Sequence, residues 1–82
     1  MIHIGQIIKK QVAETGKTTV WLSQQLGCHR TNLYKIYEKP TIETGMLMRI
    51  SRALNHDFFS YYSDALIERE RKEENKARKG EM

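Results

Sequence analysis

The segment 22–36 reads Leu22-Ser23-Gln24-Gln25-Leu26-Gly27-Cys28-His29-Arg30-Thr31-Asn32-Leu33-Tyr34-Lys35-Ile36. Its large apolar residues recur at three- and four-residue steps on both sides of one glycine, which is the spacing of two short amphipathic helices. A sharp corner between the helices needs a positive φ at Gly27, a conformation that costs other residues roughly 1–2 kcal/mol. Ser23 is small where the two helices approach each other. We therefore predict two helices that cross steeply at Gly27.

Helices are also predicted on both sides of this segment. The first has an apolar stripe and ends at Gly16; the stripe is Ile4, Ile7, Ile8 and Val12. Thr18 is a suitable N-cap for the second helix, which carries Val20, Leu22 and Leu26. The third helix covers 30–38 and buries Leu33, Ile36 and Tyr37, and the segment 39–41 ends it because residue 40 is proline.

Two more helices complete an all-α prediction. The fourth begins at about Thr44, and its apolar stripe is Leu47, Ile50, Ala53 and Leu54. Asp57 caps a fifth helix, which is expected to bury Phe58, Phe59, Tyr62 and Leu66. No run of alternating β-branched residues occurs, so we predict no sheet.

Length and charge divide the chain into a basic body and a neutral tail. The 82 residues suit one small domain. Residues 1–63 carry eight Lys and Arg against four Asp and Glu, and residues 64–82 carry six of each. We expect a domain over 1–66 and a charged tail over 67–82, as a frayed helix or disorder. A basic body favours a polyanionic partner, with nucleic acid first and an anionic membrane surface second.

Composition also excludes several functions. No apolar run exceeds three residues, which argues against a membrane span and a secretory signal. The single cysteine suits a reducing cytosol, and we expect a cytoplasmic protein. Metal-ligand spacings and phosphate-cradling glycine loops are both missing from the sequence, so we expect no metal, no cofactor and no enzymatic activity. A small-molecule ligand is also not expected.

The order and spacing of residues 22–36 resemble the helix-turn-helix of the phage-repressor (Cro-like, XRE-type) DNA-binding family. The matching positions are Leu22, Ser23, Leu26, Gly27, Cys28, Leu33 and Ile36. The likeness extends over roughly 4–66 and implies a compact five-helix, lambda-repressor-like bundle. The family usually has serine or threonine where this chain has His29, and an acidic residue where it has Tyr37.

The resemblance and the helical wheel place the same side chains on an outward face of the third helix. Expected base contacts in the major groove come from Arg30, Thr31, Asn32, Tyr34 and Lys35. Expected phosphate contacts flank this face and come from Lys17, Thr18, Thr19, His29, Lys39 and Thr41. These expected contacts predict that the protein is a sequence-specific regulator of transcription, which binds double-stranded DNA as a homodimer.

A second hypothesis gives the same fold a different function. The chain would be a protein-interaction or antitoxin-like module in which DNA binding is weak or absent. The two readings differ in their response to salt, because phosphate contacts weaken steeply with ionic strength and apolar contacts do not.

Overall fold

The computed structural model describes residues 2–68 as five α-helices, and it confirms the all-α prediction. The first four are α1 (Ile4–Glu14), α2 (Thr19–Leu26), α3 (Arg30–Tyr37) and α4 (Thr44–Leu54). The fifth, α5, is described over 60–68. No strand occurs in this part of the chain. The third helix ends one residue earlier than predicted, with Glu38 as its C-cap.

Caps at Gly16 and Thr18 set helix boundaries where the sequence predicts them, whereas α5 begins at residue 60 and not directly after Asp57. Gly16 follows α1 with φ +75°, and the Thr18 hydroxyl caps α2 by accepting from the Trp21 amide at 3.0 Å. Asn55 ends α4 in the left-handed conformation. Asp57 accepts from the Phe59 amide at 3.0 Å, so it caps the turn that leads into α5. The Thr18 and Asp57 side chains satisfy amides that have no partner within a helix, whereas the Gly16 and Asn55 amides donate to carbonyls of the helix that they follow.

One hydrophobic core lies between the helices. Its buried apolar residues are Ile4, Ile8, Val12, Leu22, Leu26, Leu33, Ile36, Tyr37, Leu47, Ile50, Leu54 and Phe58. Every helix from α1 to α4 contributes, and each buries only one stripe, so the opposite stripe of each helix stays in solvent.

Four residues are less buried, or lie elsewhere in the fold, than the apolar pattern of the sequence predicts. Val20 is 42% exposed because it lies two residues before Leu22, roughly 200° around the same helix. Cys28 is half-buried against the core rather than enclosed by it. Phe58 is buried as expected but precedes α5. Leu66 is 62% exposed, because α5 leaves the core after its first turn.

The start of α1 packs closely against the end of α3. The Gly5 amide donates to the Lys39 carbonyl at 3.0 Å, and the Ile4 amide donates to the Pro40 carbonyl at 3.1 Å. A Cβ on Gly5 would overlap the carbonyl oxygens of Ile36 and Tyr37 and lie 2.6 Å from that of Lys39. The two helices therefore meet backbone to backbone, and glycine is required here for space.

Part of the expected tail falls within α5, since residues 67 and 68 are helical. The remainder, 69–82, lies outside the described residues. Within residues 2–68, no helix is both long enough and apolar enough to cross a membrane.

We predict that Gly5→Ala destabilises the protein by roughly 1–3 kcal/mol, because the new methyl group has no space against the carbonyls that follow α3. Gly45→Ala is the matched control: Gly45 is also the second residue of an 11-residue helix, but a Cβ there meets only the flexible Glu43 carboxylate at 3.0 Å. That variant should be neutral or up to about 1 kcal/mol more stable. Urea unfolding measures both, and equal effects would contradict the close packing at Gly5.

Candidate nucleic-acid interface

The two faces of α3 differ sharply in exposure. Leu33, Ile36 and Tyr37 are buried on one side. The residues predicted to contact bases are all exposed, and they are Arg30, Thr31, Asn32, Tyr34 and Lys35. Tyr34 is 50% exposed, with its ring edge-on to that of Tyr37 at a centroid distance of 6.2 Å. The structure thus brings the five side chains together on one helix, on the side away from the core.

The corner before α3 has the predicted geometry at Gly27. Gly27 adopts φ 68° and ψ 30°, and the Cys28 amide donates to the Ser23 carbonyl at 3.0 Å. This amide satisfies one of the last carbonyls of α2, as in a glycine-terminated helix. Ser23 is buried, and its hydroxyl donates to the Val20 carbonyl at 2.7 Å within the same helix. The polar groups of this corner are therefore satisfied, with Gly27 in the left-handed conformation between α2 and α3.

Arg49 supports this corner from α4, a role that the sequence reading missed. Its guanidinium donates to the Leu26 carbonyl, the last of α2. A cation at this end also opposes the negative end of the helix dipole. Residue spacing alone gave no signal for this contact, because 23 positions separate the two residues.

His29 caps α3 with its imidazole ring. Its Nδ1 accepts from the Thr31 amide at 3.3 Å and also lies within hydrogen-bond distance of the Thr31 hydroxyl. His29 and Thr31 are both exposed, so the cap belongs to the same surface as the base-contact candidates.

The start of α2 lies beside the end of α3, linked by a side-chain hydrogen bond. The Thr19 hydroxyl and the Tyr37 hydroxyl are 3.0 Å apart. Burial raises the pKa of the Tyr37 phenol, and this effect outweighs the hydrogen bond from Thr19, which lowers that pKa. The contact explains a tyrosine at this position: its ring fills the core and its hydroxyl reaches the neighbouring helix.

Apart from His29, the phosphate-contact candidates occupy two places. Lys17 and Thr18 are exposed at the start of α2, where the Lys17 ammonium lies 4.9 Å from the centre of the Trp21 ring. Lys39 and Thr41 are exposed after α3. Thr41 also lines an apolar groove with Ile42, which sets it apart from the others. Thr19 is half-buried by its contact with Tyr37.

The exposed face of α3 carries uncompensated positive charge. Among residues 2–68 the structure has one ion pair, Lys10–Glu14 at 4.0 Å, on the exposed side of α1. No carboxylate of the described residues therefore neutralises Arg30 or Lys35. The same part of the chain holds no cluster of three or more His, Cys, Asp or Glu side chains that could hold a metal ion.

No protein-family model, curated protein or solved structure matches the chain.

We predict that Tyr37→Phe lowers the free energy of unfolding by about 1 kcal/mol at neutral pH, through loss of the hydrogen bond with Thr19. In the wild type the raised pKa of Tyr37 stabilises the fold fully below the unfolded value near pH 10, and this stabilisation is lost as pH rises through the folded pKa. The variant should therefore show a shallower decline in alkali. Tyr34→Phe should change the decline much less when both are unfolded in urea across this range, because Tyr34 has the smallest of the three effects on the Tyr37 pKa. A Tyr37→Phe profile parallel to the wild type would disprove the coupling.

Proposed function

We propose that this protein is a sequence-specific regulator that binds double-stranded DNA through a helix-turn-helix formed by α2 and α3. One observation carries the proposal: five polar or basic side chains of α3 are exposed together, opposite the stripe that holds this helix to the core. A helix presented in this way fits the major groove, which is about 12 Å wide. The resemblance of residues 22–36 to the phage-repressor family supports the same reading.

The exposed side chains have the chemistry needed to distinguish bases. Arg30 and Lys35 are donors that suit the O6 and N7 acceptors of guanine. Thr31 offers a hydroxyl and a methyl group, and Asn32 suits the N6 and N7 of adenine from the edge of the face. Tyr34 adds a ring that can pack against a base edge or the sugar-phosphate backbone.

Phosphate contacts are assigned to the ends of the two helices. The start of α2 presents backbone amides at Thr18 and Thr19, with Lys17 beside them, and such a helix start attracts anions. Because the Thr19–Tyr37 contact links this end to the end of α3, Lys39 and the α2 amides flank the same groove-facing helix. His29 adds a ring at the opposite end of α3. Contacts on both flanks would fix the register of α3 on the duplex.

One such helix reads only about four to six base pairs. We therefore propose that two copies bind a palindromic operator, with half-sites about one helical turn apart. In this proposal the protein acts in the cytoplasm as a homodimer on DNA.

A second candidate function is a protein-interaction module, and one surface favours it. An apolar groove of about 360 Å³ is lined by Thr41, Ile42, Thr44, Leu47, Phe59 and Tyr62. Met48 is also exposed, and so are Leu66 and Ile67 on α5. An apolar groove and exposed apolar side chains are both typical of a protein that contacts another protein.

Selection of bound sequences from random duplex DNA tests the proposal directly. We expect an enriched palindrome, with affinity that falls by roughly 0.9 log units per phosphate contact for each log unit of salt. Failure to enrich any sequence, or binding that is insensitive to salt, would contradict the proposal and favour the interaction module.

Two substitutions separate base reading from phosphate contact. Arg30→Ala should relax the preference at one operator position and cost about 1–3 kcal/mol on the selected site. Lys39→Ala should weaken binding to all sequences alike and reduce the salt slope by about one contact. Lys9→Ala is the control, since Lys9 is an exposed lysine on α1. Fluorescence anisotropy with labelled operators measures all three, and unchanged binding in both test variants would refute the assignment of this face.

A further inference from the structure

His29 makes two contacts with the same residue through one nitrogen atom. Its Nδ1 accepts from the backbone amide of Thr31, and the Thr31 hydroxyl lies within hydrogen-bond distance of the same Nδ1. An imidazole nitrogen accepts only when it carries no hydrogen. The cap therefore requires the neutral ring with its hydrogen on Nε2.

This tautomer determines the direction of the second hydrogen bond. Nδ1 has no hydrogen to give, so the Thr31 hydroxyl must donate its single hydrogen to the ring. Only the lone pairs of the hydroxyl oxygen then remain for another molecule. A free threonine hydroxyl both donates and accepts, and it contacts any base edge. The contact with His29 removes the capacity of the Thr31 hydroxyl to donate to a base.

We propose that His29 is a positioning residue that makes the Thr31 hydroxyl an obligatory acceptor, so that Thr31 selects a base with an exocyclic amino group. In the major groove these groups are the N6 of adenine and the N4 of cytosine. The inference rests on the proposed function, since it needs α3 to face the groove, and it specifies which bases one residue of that face favours.

The same tautomer gives His29 a second task. Its Nε2–H lies on the far side of the ring from Thr31, and His29 is exposed. This group is thus available to donate to a phosphate oxygen, and such a bond would hold the hydrogen on Nε2. Backbone contact and base selection would then be coupled through one ring.

The first test needs no DNA. Two-dimensional ¹⁵N–¹H spectra of the full chain, recorded at about pH 8 where imidazole is ordinarily neutral, report which ring nitrogen carries the hydrogen. We expect Nε2–H for His29, and a shift of this equilibrium in Thr31→Val, which lacks the hydroxyl. A predominant Nδ1–H form would overturn the inference and leave the proposed function untouched.

The second test measures base preference on the selected operator. The position that Thr31 reads is the one where Thr31→Val alters the preference. There we expect the wild type to favour adenine or cytosine over the other bases by about tenfold. His29→Ala should reduce this preference to about twofold or less, whereas loss of a helix cap alone would weaken all four operators equally.

His29→Asn is the matched rescue variant. Asparagine is a good N-cap whose side-chain oxygen accepts without donating, so the preference should return. In a Thr31→Val background, His29→Ala should no longer change the preference. At the position read by Thr31, a preference that survives His29→Ala would overturn the inference while operator binding by the wild type still supports the proposed function. A wild type that selects no sequence would instead overturn the proposed function itself.

Discussion

An eight-residue helix has almost no stability of its own in water, and α3 is such a helix. Its existence and its direction therefore depend on burial of Leu33, Ile36 and Tyr37 against the other helices. The surrounding structure restrains it at both ends. Gly27 sets the turn before it, and the backbone of α1 at Gly5 meets the carbonyls after it. A helix held in this way presents its outer side chains in a fixed direction. Recognition of a rigid partner requires side chains that are fixed in this way.

Much of this arrangement follows from local pattern. The apolar stripes predict four helices to within a residue, because each stripe has to face a shared core and no other period fits it. The roles of Gly27 and Thr18 are also predictable from the sequence. A positive φ favours glycine, and an unpaired amide at a helix start favours a residue such as threonine that can accept from it. The outward face of α3 was predictable as the set of residues that do not belong to its buried apolar stripe. Its chemical use stays a prediction, supported by residue types and exposure.

The remaining features depend on contacts between distant parts of the chain. Nothing near Gly5 in sequence shows that the carbonyls of residues 36–39 lie against it, and Arg49 gives no local sign that it reaches Leu26. Leu66 belongs to a plausible apolar stripe, yet α5 has no neighbour left to cover it. The apolar period identifies the side of a helix that can be buried. Whether that side is buried depends on whether another helix packs against it.

The backbone contact between α1 and the end of α3 also distinguishes the two ends of the domain as places for attachment. A polypeptide fused ahead of Ile4 would emerge beside Lys39 and Pro40, where it would crowd the surface assigned to a duplex. A fusion partner, dye or surface linker joined beyond α5 would start from a helix that has already left the core. Attachment beyond α5 therefore leaves the backbone contact between α1 and the end of α3 undisturbed.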